Sequence, residues 1–327
     1  MRVAIVGAGI AGLACAERLA DYQIDAVLFD KGKRPGGRLS SLSIEEGAWD
    51  FGAPYLVARD PLFSAKAARW TREGVLARWW SGPAGAMVGT PSMGALVGAM
   101  CDNLDVRFRT HVNRTFRDDT GWHVAGDGFQ EGPFYAVLMA TPAEQAAALL
   151  SLHDLAMASE AASVRSVACW TVMASFAEPL DIETTFLSDS PPLSWAARDN
   201  TKPDRPDREC WVIQADAAWS RPNLERDAKD VANDLLEAFR QQTNADLPPT
   251  IFLKAHRWRY ARPRGEQDLL LWNEERRLGA CGDWCRAPTI EGAWLSGNAL
   301  AETVARSLSG NIGDLPCEAV NSAQAAE

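Results

Sequence analysis

Two kinds of apolar pattern alternate along the chain. Short runs with no polar face occur at Val3–Val6, Ala26–Phe29, Ala136–Ala140 and Leu278–Gly282. They read as strands buried on both sides, which is how a parallel sheet looks in sequence. Helical patterns run from Ile10 to Ala20, from Leu62 to Arg72, through Met100, after Thr141-Pro142, and from Glu291 to about Leu308. From about Ser151 to Trp258 the character changes. Val164–Phe176, Leu193–Arg198, Cys210–Ala215 and Ile251–Trp258 read as strands of a mixed or antiparallel sheet. Leu224, Ala228, Val231, Leu235 and Phe239 recur at helical steps and predict one packed amphipathic helix. Val75–Trp80 reads as a strand, and Val106–Phe116 with Trp122–Val124 as an antiparallel pair. The charged, proline-bearing stretch Arg198–Arg208 reads as an exposed hairpin loop.

The turn after the first strand carries the first chemistry. Gly7, Gly9 and Gly12 space a G-x-G-x-x-G motif between a strand and a helix. Gly7 permits the turn, Gly9 admits a pyrophosphate to the backbone, and Gly12 lets helix and strand pack closely. The second strand ends in Asp30, where a carboxylate can bind an adenosine ribose. The chain continues through Lys31 and the Gly36-Gly37-Arg38 step into a basic, glycine-bearing loop. A nicotinamide site needs no such extension, whereas an enclosed FAD pyrophosphate needs a forked cation such as Arg38. Far downstream, Gly282-Asp283 closes a strand and Glu291-Gly-Ala opens a helix. Asp283 suits a ribityl hydroxyl, and the helix N-terminus suits a flavin edge that becomes negative on reduction. This reading requires Arg38 and Asp283 to meet on one ligand.

The predicted fold class is therefore α/β: a Rossmann-type FAD-binding domain with an inserted sheet-based (α+β) substrate domain. Residues 1–60, 91–150 and 259–310 form the first, and 61–90 with 151–258 the second. Residues 311–327 read as a flexible tail.

Composition narrows the classes. A net charge of −10 argues against nucleic acid or an anionic membrane as partner. No apolar run approaches the ~18 residues that span a bilayer. Seven scattered cysteines make no disulfide framework, and Cys281 with Cys285 has no neighbouring ligands for a metal. The expectation is a cytoplasmic protein with reduced thiols. His111, His123 and His153 read as packing residues. His256 and Trp258 share one strand face, where His256 could bond a nicotinamide nucleotide's carboxamide or ribose. Thirteen tryptophans suit a site that stacks and orients an electron-rich substrate, and Trp211, Trp258 and Trp284 are the pocket candidates.

The segments GAGIAGL, FDKGKRPGGRLSS, WDFGAPY, AHRWRYARP and GDWC with EGAWLSG resemble the flavin amine-oxidase superfamily. Within it they look like the bacterial renalase-type NAD(P)/FAD-dependent oxidoreductases, from Met1 to about Leu308. The resemblance implies non-covalent FAD held by Gly7, Gly9, Ala11, Gly12, Asp30, Lys31, Gly37, Arg38, Ala53, Val112, Asp283, Gly292 and Ala293. Val112 sits where related flavoproteins clasp adenine through backbone groups. It further implies oxidation of 2- and 6-dihydro-NAD(P) to NAD(P)+, with O2 reduced to hydrogen peroxide. Amine oxidases of the group carry a cage tyrosine where this chain has Thr289, although Trp284 could substitute. Amine oxidation is the alternative, and a flavoprotein acting as an interaction module is a third.

Overall fold

The structure, a computed structural model, describes residues 1–264 and 269–309. The predicted tail, 311–327, lies outside the described residues. A six-stranded sheet runs in the order Leu271–Asn273, Leu278–Ala280, Ala136–Met139, Arg2–Val6, Asp25–Phe29, Asp105–Arg107. All neighbours are parallel except the first pair. After Arg2–Val6 the chain builds outward on one side, then returns to pair Ala136–Met139 on the other. That reversal opens a crevice at the carboxyl ends of these two strands, where ligands of such sheets bind. Gly7 and Thr141 stand at its lip.

The two ends of the chain meet across this sheet. Helix Ile290–Ser309 packs on helix Ile10–Asp21 so closely that a Cβ on Gly297 would lie 2.0 Å from the Ala11 carbonyl oxygen. Only glycine allows that approach. Helix Pro61–Arg72 joins the same core, with Phe63 set 5.5 Å from Trp294. A five-stranded antiparallel sheet forms the second half, in the order Phe186–Ser190, Leu193–Arg198, Cys210–Ala215, Arg165–Phe176, Thr250–Arg264. Helix Ala228–Thr243 covers one of its faces through Val231, Leu235 and Phe239.

Two expectations need correction, and two strands stand where the pattern predicts none. Val106–Phe116 is not one strand: Asp105–Arg107 joins the parallel sheet, and Val112–Asp118 starts a separate three-stranded one. Between them Arg109 takes a left-handed φ of 57°, which breaks the extended run. Strands Phe129–Phe134 and Phe186–Ser190 also escape a hydrophobic pattern, because both lie at sheet edges and keep polar residues. The largest difference concerns Arg198–Arg208. It is no exposed loop, since the side chains of Asp199, Lys202 and Arg205 are almost entirely buried. Lys202 Nζ lies 2.6 Å from Asp199 and 3.1 Å from Asp50, and Arg205 reaches Asp50 at 2.7 Å. Asp50 also accepts from Ser41 Oγ and the Met93 amide, while Asp199 accepts the Asp50 amide.

Burial pushes the Asp50 carboxyl up, but Lys202 and Arg205 overcome it and hold the group below its ordinary value. Asp199 shifts the other way, raised by burial beyond what Lys202 recovers. Removing one member of such a cluster strands the opposite charge. Lys202→Met is expected to lower stability by about 3–5 kcal/mol, read as a shifted urea midpoint with an unchanged slope. A loss below about 1 kcal/mol would show that the cluster is dispensable.

Candidate functional site

A continuous cleft of about 2180 Å³ runs from the glycine turn to the antiparallel sheet. Small-ligand sites usually occupy ~300–1,000 Å³, so this cleft has room for a dinucleotide and a second molecule.

Its first end is the glycine turn. Helix Ile10–Asp21 starts at Gly9 with no side-chain cap and no acidic residue in its first turn, so its N–H groups face the cleft unshielded. Gly7 holds a φ of 111°, and a Cβ on Gly12 would lie 2.1 Å from the Gly7 carbonyl oxygen. At Gly9, by contrast, nothing lies within 4 Å of an added Cβ, which leaves the approach open. Thr141 Oγ1, across the crevice, is buried with no partner. Asp30 accepts from the Ala8 amide at 2.7 Å and the Gly32 amide at 2.6 Å, so it ties two turns together and keeps lone pairs for a ribose. An uncapped helix, an open glycine and an orphaned hydroxyl are what a dinucleotide pyrophosphate would complete.

The cleft's middle joins the two distant motifs. Arg38 makes a bidentate pair with Asp283, both contacts at 2.7 Å, and donates to the Ala261 carbonyl. Its fork is thus shared with a carboxylate rather than free, and the two residues act as one unit. Ala53 lines the cleft and its amide donates to the Arg38 carbonyl, which fixes the loop behind the guanidinium.

At the far end the antiparallel sheet presents a single cross-strand row. Ser188 pairs with Trp195, Trp195 with Gln214, Gln214 with Thr171, and Thr171 with His256. Directly paired residues share a sheet face, so these five point the same way. Gln214 Nε2 donates to the Gly52 carbonyl and Trp258 Nε1 to the Phe51 carbonyl, which anchors the sheet to the motif WDFG. Phe51 stacks on Trp258 at 5.6 Å and meets His256 edge-on at 5.0 Å. Burial and Lys254 hold the His256 pKa below its ordinary value.

Among the described lining residues, eight are Lys or Arg and four are Asp or Glu. A basic cleft in a chain of net charge −10 favours anionic ligands.

The predicted site residues sort by position. Gly7, Gly9, Ala11, Asp30, Lys31, Gly37, Arg38, Ala53, Val112, Asp283, Ala293, His256 and Trp258 line the cleft. Gly12 and Gly292 stand behind it, against the Gly7 and Ala287 carbonyls. Trp211 and Trp284 do not belong to it. Trp211 lies on the opposite sheet face, packed on Phe239 and bonded to Glu209, because odd positions of Cys210–Ala215 face helix Ala228–Thr243. Trp284 turns into the core and donates to the Thr141 carbonyl. The residues missed were Phe51, Tyr55, Trp195 and Gln214. Phe51 and Tyr55 sit inside a motif already singled out, and Gln214 follows from strand parity once Trp211 is turned inward. His111 also lines the cleft, whereas His123 stacks on Phe116 and His153 meets Trp122. The six described cysteines are free, no described metal-binding cluster exists, and no described helix is long and apolar enough to cross a membrane.

Comparison with known proteins agrees with this geometry. Residues 5–67 match the NAD(P)-binding Rossmann-like domain, and residues 56–305 match the flavin containing amine oxidoreductase family. A candidate protoporphyrinogen oxidase from Exiguobacterium sp. 255-15 superposes with a TM-score of 0.77 at 13% identity, covering 93% of this chain and 98% of that one. Cyclohexylamine oxidase from Brevibacterium oxydans IH-35A superposes at 0.69 with 12% identity, covering 94% and 99%. At these identities the likeness is one of fold. The zeta-carotene-forming phytoene desaturase of Myxococcus xanthus is 42% identical over 62 residues, which span 19% of this chain and only 12% of that protein. With the family match extending over most of its length, the chain belongs to the flavin containing amine oxidoreductases.

Proposed function

We propose that the protein is an FAD-dependent oxidase of isomeric dihydronicotinamides, the 2- and 6-dihydro forms of NAD(P), serving metabolite repair. The observation that carries this reading is the basic, two-ended cleft: a phosphate cradle at one end and an aromatic, hydrogen-bonding sheet face at the other. Non-covalent FAD would be held by the turn Gly7–Gly12, by Asp30 and by the Arg38–Asp283 pair. When bound, it supplies a two-electron acceptor that takes a hydride from a dihydropyridine carbon and passes the electrons to O2, giving hydrogen peroxide.

The chain's own contribution is positional. A dihydropyridine needs no prior deprotonation, and the row Ser188, Trp195, Gln214, Thr171, His256 offers no carboxylate or lysine to perform one. Phe51, Trp258 and Tyr55 supply flat apolar surface for a ring, and their packing excludes water. The surplus of arginine and lysine suits the phosphates of NAD(P)H isomers and repels the ammonium group of an amine. Thr289 at the cage position and Trp284 in the core leave that half of an amine cage unbuilt.

Anaerobic titration of the yellow protein with borohydride-treated NAD+, which contains the isomers, should bleach the flavin, and admitting air should release peroxide. Reduction by a primary amine, with the isomers inert, overturns the proposal in favour of amine oxidation. Because burial and Lys254 lower the His256 pKa from its ordinary value, the reduction rate should hold steady at neutral pH and above. It should decline below the ordinary histidine value of 6.5, as the imidazole takes a proton. His256→Gln should abolish that decline in a stopped-flow pH profile.

A further inference from the structure

We infer that the side-chain oxygen of Gln214 is the acceptor that selects a ring-bound primary carboxamide at the sheet end of the cleft. This deepens the dihydronicotinamide reading and rests on it for the identity of the ring, whose carboxamide N–H is the donor.

Three observations converge. The first is direction. Trp211, Ile213 and Ala215 pack toward helix Ala228–Thr243, so Gln214, between them in the strand, projects from the other face and lines the cleft. The second is orientation. Gln214 Nε2 donates to the Gly52 carbonyl at 2.8 Å. A carbonyl oxygen can only accept, so the amide nitrogen faces Gly52 and Oε1 occupies the other limb of the amide. The third is availability. Gln214 is half-buried, and among the described residues nothing donates to Oε1. That oxygen is not sealed from solvent, in contrast to the enclosed indole nitrogens of Trp195 and Trp294.

The acceptor is held from behind. A Cβ on Gly52 would lie 2.0 Å from the Arg38 carbonyl oxygen, and the Gly52 amide donates to the Ser40 carbonyl. Gly52 therefore cannot shift without moving the loop that carries Arg38. An acceptor whose direction is set before binding loses little freedom on binding, so it discriminates well. Flat surface for a ring stands alongside. Trp258 donates to the carbonyl of Phe51, the residue before Gly52, and the two rings stack at 5.6 Å. His256, further along the same cross-strand row, is a second acceptor on this face, and unlike an amide it titrates.

The test uses binding, which needs no turnover. Nicotinamide and 3-acetylpyridine share a ring and a carbonyl oxygen and differ in an amino group that replaces a methyl. Each is titrated into the oxidised holoenzyme, and the flavin absorbance change is followed. Nicotinamide should bind about five- to tenfold tighter. Gln214→Met keeps the length of the side chain and removes the acceptor. It should lower nicotinamide to the affinity of the ketone and leave ketone binding unchanged. Equal affinities in the wild type, or a preference that survives in Gln214→Met, overturn the assignment. The wild type alone also separates the two acceptors, which serves if the variant does not fold. The preference should persist from about pH 8 to about pH 5, because an amide does not titrate there. Its loss on acidification would give the role to His256 and overturn the inference. Failure of the function reading appears separately, as dihydro isomers that leave the flavin oxidised while the amide preference persists.

Discussion

Asp50, Asp199, Lys202 and Arg205 bring four formal charges into a volume that water does not reach. The desolvation of such groups is offset only when all partners are in place, so the two segments that carry them must dock together. One segment is the motif containing Asp50. The other is a loop some 150 residues later, placed by the antiparallel sheet. The consequences spread to both walls of the cleft. On one side, Phe51 and Gly52 follow Asp50 directly and receive Trp258 and Gln214. On the other, Lys202 lies 5.5 Å from the Trp79 ring, and Trp79 abuts Trp195.

Charge is distributed with the same economy. The chain as a whole is acidic, yet its cleft is basic. Surface repulsion and cleft attraction would act on an anionic ligand in opposite senses, a field that favours the opening. Arg257 and Arg259 share the exposed Glu225, which restrains their long side chains near the mouth without cancelling both charges. The Arg38–Asp283 pair does a different job, locking the last strand's end to the loop after the second strand.

Legibility differed sharply between local and distant features. The glycine turn and Asp30 were readable because each depends on a short motif with one geometric solution, and the meeting of Arg38 with Asp283 because both motifs were read as serving one ligand. The tryptophans were not. Trp211 and Trp258 occupy strands that both pair with Arg165–Phe176, one on each side of it, and which face each takes depends on register. Irregularities between Leu193 and Trp195 and between Val167 and Cys169 reset that register locally. A single such shift moves a side chain to the other face of the sheet. Arg198–Arg208 failed for the opposite reason: its charges look solvated until their partner, Asp50, is brought alongside.

By itself, then, the sequence determined a dinucleotide fold and its glycine turn, since apolar runs and glycine spacing act over a few residues. Tertiary structure alone decided which aromatic rings face the ligand and which charges are buried. Sheet register and long-range ion pairing settle those questions, and both arise only when distant strands come into contact.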